Sequence, residues 1–331
     1  MVLAYGEQPY IHDVVDRILA STGVSVHVVV VDNGCTSPSL EPLRERPGVT
    51  LLEPGTNTGF TGGCNLGAAA TDSEYLAFVN SDALVEPDAL AELTKVAARP
   101  EVGIASASLR LAETPELLNS AGNPVHVLGL SWSGHLGEPA AQFPVERSVT
   151  SATGAAFAVR REVWKALGGF TERFFAYSED ADLSLRCWQQ GWDVRYVPAA
   201  VVAHHYEFSR NTAKFYLLER NRLAMVLTVY EGRTLALLSP ALLAFELAML
   251  AVAVVNGWLP AKLRGYRWLL TERRWLGEHR RAVQGARRRR DRELAELLTA
   301  RFDQSVLPLP RGGGFLNTVM SGYWGLVRRL L

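Results

Sequence analysis

Val26-His27-Val28-Val29-Val30-Val31, running into Asp32-Asn33-Gly34, is the most informative stretch of this chain. Branched side chains pack well on a pleated surface, and apolar residues at successive positions mark a strand covered on both faces. The run stops at a polar turn signal. Before it, residues 2–5 read as a short strand, and Tyr10, Ile11, Val14, Val15, Ile18 and Leu19 mark one face of a helix. After it, residues 49–52 and 75–79 continue the strands, and Pro87 opens a helix with Leu90, Leu93, Val96 and Ala97 inward. Residues 110–150 are loop-rich and carry little pattern. Regularity returns with a strand at 155–160, a helix at 180–190 closed by Gly191, and strands at 194–197 and 201–203. Alternating strands and helices predict an α/β fold. Its sheet is mostly parallel with helices on both faces, and ligands bind beyond the carboxyl ends of the strands.

The composition is that of a globular chain. With 331 residues, 48 % hydrophobic, 21 % charged, 28 Gly and 16 Pro, it holds at most two domains and is neither disordered, collagenous nor a disulfide scaffold. Cys35, Cys64 and Cys187 are odd in number and lack C-x-x-C spacing, and no basic-then-apolar leader is evident, so a reducing cytosol is expected. The net charge of zero hides an asymmetry. Residues 1–230 hold 17 Lys+Arg against 26 Asp+Glu, or −9, while residues 231–331 hold 17 against 8, or +9. A basic tail of this kind meets something anionic. Nucleic acid is disfavoured, because the acidic body repels phosphates and no nucleic-acid motif is present.

The tail is also apolar. Residues 235–259 are mostly Leu, Ala and Val, interrupted by Ser239-Pro240, Glu246 and Asn256. The run is long enough to cross a bilayer, but a mid-membrane carboxylate costs roughly 2.5 kcal/mol or more, and one crossing would put the arginines on the wrong side of a cytosolic body. A re-entrant or interfacial hairpin is expected instead. Lys262, Arg264, Arg267, Arg273, Arg274, Arg280, Arg281 and the arginines 287–290 follow, interleaved with Tyr266, Trp268 and Trp275. Residues 315–331 carry one apolar stripe. The expected organisation is a domain at 1–232 and a membrane-associating helical extension at 233–331, docked peripherally or monotopically on the cytoplasmic face of the cell membrane. Pairing of the C-terminal helices into a homo-oligomer is the alternative use of the same faces.

Four polar clusters fall where strands end. Asp32-Asn33-Gly34 reads by itself as a turn. Asn57-Thr58-Gly59-Phe60-Thr61-Gly62-Gly63-Cys64-Asn65-Leu66-Gly67 is a glycine-dense loop before an Ala-rich helix, where backbone can approach an anion. It fits neither G-x-x-x-x-G-K-[ST] nor G-x-G-x-x-G after the first strand, so nucleoside triphosphatase and dehydrogenase readings lose their support. Asn80-Ser81-Asp82 puts a carboxylate where it can hold Mg²⁺ or Mn²⁺ against a diphosphate, or cap a turn. Ser178-Glu179-Asp180-Ala181-Asp182 crowds three acids into one helical turn, which capping explains, but which also separates pKa values as a general base requires. His204, beside His205 after a strand, is a metal ligand or a structural histidine.

In this order and spacing the clusters resemble the family-2 inverting glycosyltransferases of the GT-A fold, in particular the bacterial rhamnosyl- and galactofuranosyltransferase-like branch. The most specific part runs through Thr153-Gly154-Ala155, residues 168–175, Glu179-Asp180-Ala181-Asp182-Leu183, Arg186, Gly191, Val197-Pro198, His204 and Arg220-Asn221-Arg222. The resemblance implies a nucleotide-diphosphate sugar donor, favoured as dTDP-rhamnose, with UDP-galactofuranose or another UDP-sugar as alternatives. It implies a saccharide or lipid-linked acceptor and a Mg²⁺ or Mn²⁺ cofactor. Tyr5, Gly6, Asp32 and Asn33 would border the nucleobase. Asn57, Gly59 and Asn65 would lie along the nucleotide, with Asn80, Ser81 and Asp82 at the diphosphate. Asp82 ends the D-x-D position, whose first Asp is here Asn80, and would hold the metal with His204. Asp180 would be the base, flanked by Glu179 and Asp182; Gly154, Ala155 and Trp188 would shape the acceptor pocket. A non-catalytic membrane-bound sugar-nucleotide-binding protein would need neither Asp82 nor Asp180.

Overall fold

The computed structural model describes residues 1–36, 38–205, 212–303 and 313–331. Its first part runs β1 (Val2–Gly6), α1 (Ile11–Leu19), β2 (Val28–Cys35), β3 (Val49–Leu52), α2 (Gly59–Ala69), β4 (Tyr75–Asn80), β5 (Ala83–Val85) and α3 (Ala89–Ala97). It continues with β6 (Val102–Leu111), β7 (Thr114–Ser120), β8 (Arg147–Ser148), β9 (Ala156–Arg160), α4 (Arg161–Leu167), α5 (Glu179–Gln189) and β10 (Asp193–His204). Six helices follow: α6 (Thr212–Val229), α7 (Gly232–Val255), α8 (Leu259–Thr271), α9 (Arg273–Gly285), α10 (Asp291–Leu294) and α11 (Gly313–Leu330).

All ten strands join one sheet, ordered β3-β2-β1-β4-β9-β6-β10-β5, with β7 on β6 and β8 on β10. β3, β2, β1 and β4 are parallel; β9 runs against β4 and β6, and β10 runs parallel to β6. The ends of β1, β2, β4 and β10 and the start of β9 therefore share one edge. The valines of β2 are buried, as a two-sided cover requires, and α1 lays Ile11, Val14, Val15 and Ile18 into the same core. The two strands expected at 194–197 and 201–203 are one, β10, whose register against β6 slips between Val197 and Val201.

The chain divides into two compact units. One comprises Met1–Asn123, Ser133–Cys187 and the stretch from Trp192 through β10; the other comprises Pro124–Trp132, Trp188–Gly191 and the chain from α6 onward. The expected boundary at 232 differs from this division, because α6 goes with the helices that follow it. Within that second unit Phe215 stacks on Trp258 at 4.9 Å and the Arg220 guanidinium lies 4.5 Å over Trp268. Part of the arginine run also turns inward. Arg287 donates to the Val229 carbonyl and pairs with Asp291 at 2.7 Å, and Arg289 donates to the Gly191 carbonyl at 2.8 Å. These two cap helix ends rather than facing an anionic surface.

Candidate active site

Asp82 follows β4, and His204 ends β10, which pairs antiparallel with the short β5 after Asp82. His204 Nε2 lies 3.2 Å from Asp82 Oδ1, and its Nδ1 lies 2.8 Å from Asn119 Oδ1 on β7. With its Nδ1–H given to that carbonyl oxygen, Nε2 faces the carboxylate, and the two donors fit a divalent cation held between them. Donors 3.2 Å apart are adjacent corners around an ion with bonds of about 2.2 Å. Among the described residues no cluster of three or more His, Cys, Asp or Glu completes a protein cage. One carboxylate and one imidazole thus fit a divalent ion that keeps positions open for other ligands. The next residue, His205, stacks on Tyr10 with centroids 3.8 Å apart and gives its amide N–H to the Asp82 carbonyl, fixing the strand end.

Asp180 stands in the first turn of α5. Its Oδ2 accepts from Asn123 Nδ2 and from the Gly154 N–H, both at 3.3 Å, and its Oδ1 accepts from the Ala181 N–H at 2.8 Å. Burial raises its pKa above the usual carboxylate value, and those three donors oppose the rise. Glu179 is more deeply buried, with Oε2 lacking a partner among the described residues, and burial followed by the charge of Asp180 pushes it up to about 8. Glu179 thus holds its proton more tightly than an ordinary carboxyl, while the donors around Asp180 favour its ionised form. The backbone before them is strained: Phe175, Tyr177 and Ser178 all have left-handed φ values, of 66°, 72° and 64°.

Two short routes connect the pair Asp82–His204 with Asp180. Residues 119–123 carry Asn119, on His204, and Asn123, on Asp180, and Ser120 Oγ orients Asn123 by donating to its Oδ1 at 2.8 Å. On the other side the Asn80 N–H donates to the Ala155 carbonyl at 2.8 Å, next to Gly154. Both carboxylates therefore belong to one sheet edge. Neither Asn119 nor Asn123 stood out in the sequence. The only signal there was the Asn-Ser-Ala-Gly-Asn-Pro turn chemistry of residues 119–124, inside a stretch without periodicity.

Other candidates are placed differently. Asp182 is completely buried and accepts from Thr171 Oγ1 at 2.8 Å and from Arg186 Nε and Nη2 at 2.9 and 2.8 Å. It is a structural anchor, and its expected place beside the base is corrected. The glycine-dense stretch is not a loop but α2 itself, and its N-terminus meets protein. Asn33 accepts from the Thr58 N–H, Asn57 from the Gly59 N–H and the Phe175 carbonyl from the Thr61 N–H. Those three amides are committed to protein partners. Asn33 and Asn57 also bond each other at 2.9 Å, and Asn65 holds the Phe170 backbone through both its amide atoms. Gly59, at φ +74°, cannot become a larger residue, because a Cβ would overlap the Phe175 carbonyl and ring.

Tyr5, Gly6 and Asp32, expected at the nucleobase, stand together at the ends of β1 and β2. Tyr5 is 60 % exposed with its ring against Gly34, and Gly6 takes φ +71° at the bulge that ends β1. Asp32 Oδ1 accepts from the Gly34 and Cys35 N–H groups at 3.0 and 2.8 Å, which holds the turn. Burial and Asp32 push the Cys35 thiol up to about 12, so it is no nucleophile. Ser81 and Gly154 are half-buried and Ala155 is buried. Trp188 belongs to the second unit, where it is buried with the Arg289 guanidinium 5.4 Å over its ring.

Comparison with known proteins gives a consistent result. The family model described as glycosyltransferase like family 2 matches residues 1–226. The N-acetylglucosaminyl-diphospho-decaprenol L-rhamnosyltransferase of Mycobacterium tuberculosis is 29 % identical over 231 residues, covering 62 % of this chain and 75 % of the relative. The O-antigen biosynthesis protein RfbC of Myxococcus xanthus is 30 % identical over 223 residues, covering 63 % of this chain and 17 % of that one. Among solved structures, the mannosyltransferase PcManGT of Pyrobaculum calidifontis, in complex with GDP-Man and Mn²⁺, shares the fold at a TM-score of 0.52. It is 21 % identical, with 86 % of this chain and 84 % of that one covered. GalNAc-T7, solved with UDP, GalNAc and Mn²⁺, shares it at a TM-score of 0.58 and 15 % identity, over 71 % of this chain and 49 % of that one.

Proposed function

The chain belongs to glycosyltransferase family 2, and on that footing we propose that it moves a sugar from a nucleotide-diphosphate donor to a hydroxyl of a lipid-linked saccharide, with inversion and with a divalent cation. The observation that carries this reading is the pair Asp82–His204 joined to Asp180 through residues 119–123. Asp82 and His204 would hold the cation, Mn²⁺ or Mg²⁺, which when bound would supply positive charge to offset that on the departing diphosphate. Every other task falls to side chains. Tyr5 and Asp32 receive the nucleobase at the end of the sheet. Asp180, ionised, takes the proton from the attacking hydroxyl, while Glu179 keeps its own proton and adds no second charge beside the reacting centre. One base and one good leaving group suffice without a covalent intermediate, so the displacement inverts the anomeric carbon.

The name of the mycobacterial relative, an L-rhamnosyltransferase acting on N-acetylglucosaminyl-diphospho-decaprenol, supports a rhamnosyl donor, which we take as dTDP-rhamnose, a polyprenyl-diphosphate saccharide as acceptor, and work at the cytoplasmic face of the membrane as part of the same reading. The neighbours solved with Mn²⁺ support the metal. The test is calorimetry with a panel of nucleotide sugars, with and without Mn²⁺, followed by product analysis. Asp180→Asn is expected to keep metal-dependent donor binding and lose about 10² to 10⁴-fold in transfer. Wild-type turnover in that variant refutes the assignment.

A further inference from the structure

Helix α7 is apolar on every side, yet it is not enclosed by the second unit. Leu238, Phe245 and Met249 are buried, whereas Leu243, Leu247 and Val254 on other faces are 63, 59 and 61 % exposed. After Arg233 its only charged residue is Glu246. A surface helix in water places charges on its outer face, and a long uncharged one marks contact with another apolar phase.

Glu246 points inward. It pairs with Arg222 on α6, accepts from Lys262 Nζ at 2.7 Å and from Tyr266 Oη at 2.6 Å on α8, and Glu219 closes the network from α6. Arg222 and Lys262 are essentially inaccessible, at 2 and 1 % exposure of the side chain. Burial pushes Glu246 up, but Arg222, Lys262 and Tyr266 hold it below the ordinary carboxylate value. The carboxylate that argued against a membrane is thus satisfied inside the protein. The same network ties the middle of α7 to two charged helices, so a crossing would draw Glu219, Arg220, Arg222, Arg264 and Arg267 into the bilayer, at a cost of roughly 2.5 kcal/mol or more for each.

Along α8 the exposed leucines 263 and 270 alternate with exposed Arg264 and Arg267, and exposed Arg273 and Arg274 follow on α9. Leucine beside arginine suits anionic headgroups above acyl chains. A two-fold dimer through this face would set arginine against arginine, which disfavours a second copy as its cover.

We propose that α7 lies flat in the headgroup boundary of an anionic bilayer, with Leu243 and Leu247 in the acyl layer, Arg264 and Arg267 on the headgroups and Glu246 turned away. The inference rests on the functional reading only in that a lipid-linked acceptor brings the enzyme to a membrane. It is tested with the full chain and vesicles of phosphatidylcholine, with or without phosphatidylglycerol. Binding should require phosphatidylglycerol, fall about 5-fold for each of Arg264→Gln and Arg267→Gln, and fall at least ~10-fold in Leu243→Gln/Leu247→Gln. Nitroxides on Ala236→Cys, Leu247→Cys and Val254→Cys, in a Cys35→Ser background, should sit at one shallow depth. Graded depths mean a crossing and overturn the proposal. So does failure to bind vesicles, or a dimer that Leu243→Gln/Leu247→Gln dissociates. Transfer to a short soluble acceptor should be unchanged in that leucine variant. If vesicle binding fails while this transfer persists, only the docking falls; if the wild type transfers nothing, the functional reading falls instead.

Discussion

Asp180 and Glu179 are consecutive in the chain, yet their carboxyls meet different surroundings. Asp180 has three hydrogen-bond donors against its burial, whereas Glu179 has one oxygen without a partner among the described residues. Removing a donor from Asp180 raises its pKa further. Because the base works ionised, activity disappears as pH falls through that pKa, so Asn123→Ala should move the acid limb of the kcat profile to higher pH. Below the limb we expect about a 10-fold lower kcat with the donor KM unchanged, since Asn123 touches the base and not the nucleotide edge. Glu179 gives the opposite kind of pH effect, on stability. Its folded pKa of about 8 lies above the unfolded value of 4.5, so the folded state binds the proton more tightly, and stability falls as pH rises from about 4.5 to 8. Glu179→Gln keeps a neutral side chain and should melt with the wild type at pH 5 but several degrees above it at pH 9. Equal melting curves at pH 9 would show that Glu179 ionises as an ordinary carboxyl. None of this was legible from three acids in a row; pattern located the cluster, but depth of burial divided the roles.

The elements show why parts of the sequence misled. α2 holds four glycines in eleven residues, which by propensity argues for a loop, but Gly63 packs on Leu3 and Gly67 on Met1 and Val31. Close approach of helix to sheet overrode propensity. β6 was invisible for a related reason. Its Val102-Gly103-Ile104-Ala105-Ser106-Ala107-Ser108 sequence replaces large β-formers with small residues, because a Cβ on Gly103 would strike Cys187 of α5, and Ser106 and Ser108 are used as buried hydrogen-bond partners. α5 itself was legible from its acids and its closing glycine. What holds it is the clamp of Asp182 with Arg186, whose guanidinium also donates to the Leu167 and Gly169 carbonyls. Asp182→Ala leaves a buried guanidinium unpaired and should cost about 3–5 kcal/mol of stability, read by urea melts. Asp180→Asn, with its half-buried side chain, should melt near the wild type. If the two acids behaved alike, the separation of base from anchor would be wrong.

At the scale of the molecule, the charge asymmetry and the apolar run at 235–259 marked a distinct C-terminal region, but its border was not legible. The deciding contacts are long-range pairs that no local pattern reports. α6 takes its buried charges in balance with Glu246 and Lys262, and its last carbonyls, at Thr228 and Val229, accept from Gln284 and Arg287. A chain cut after Arg233 keeps the 18 residues of α6 but strips away every one of these partners, leaving the Arg222–Glu219 pair and the Arg222 bond to the Leu128 carbonyl. An isolated helix of that length is marginal in water, and one carrying an exposed apolar face and unbalanced charges is worse. The truncated chain should therefore lose helical ellipticity equivalent to the deleted helices plus about one more of α6's length, and should aggregate as α6 frays. Far-UV circular dichroism on equal molar concentrations decides it. A loss matching the deleted residues alone would mean that α6 stands on its own, which would support a border at 232.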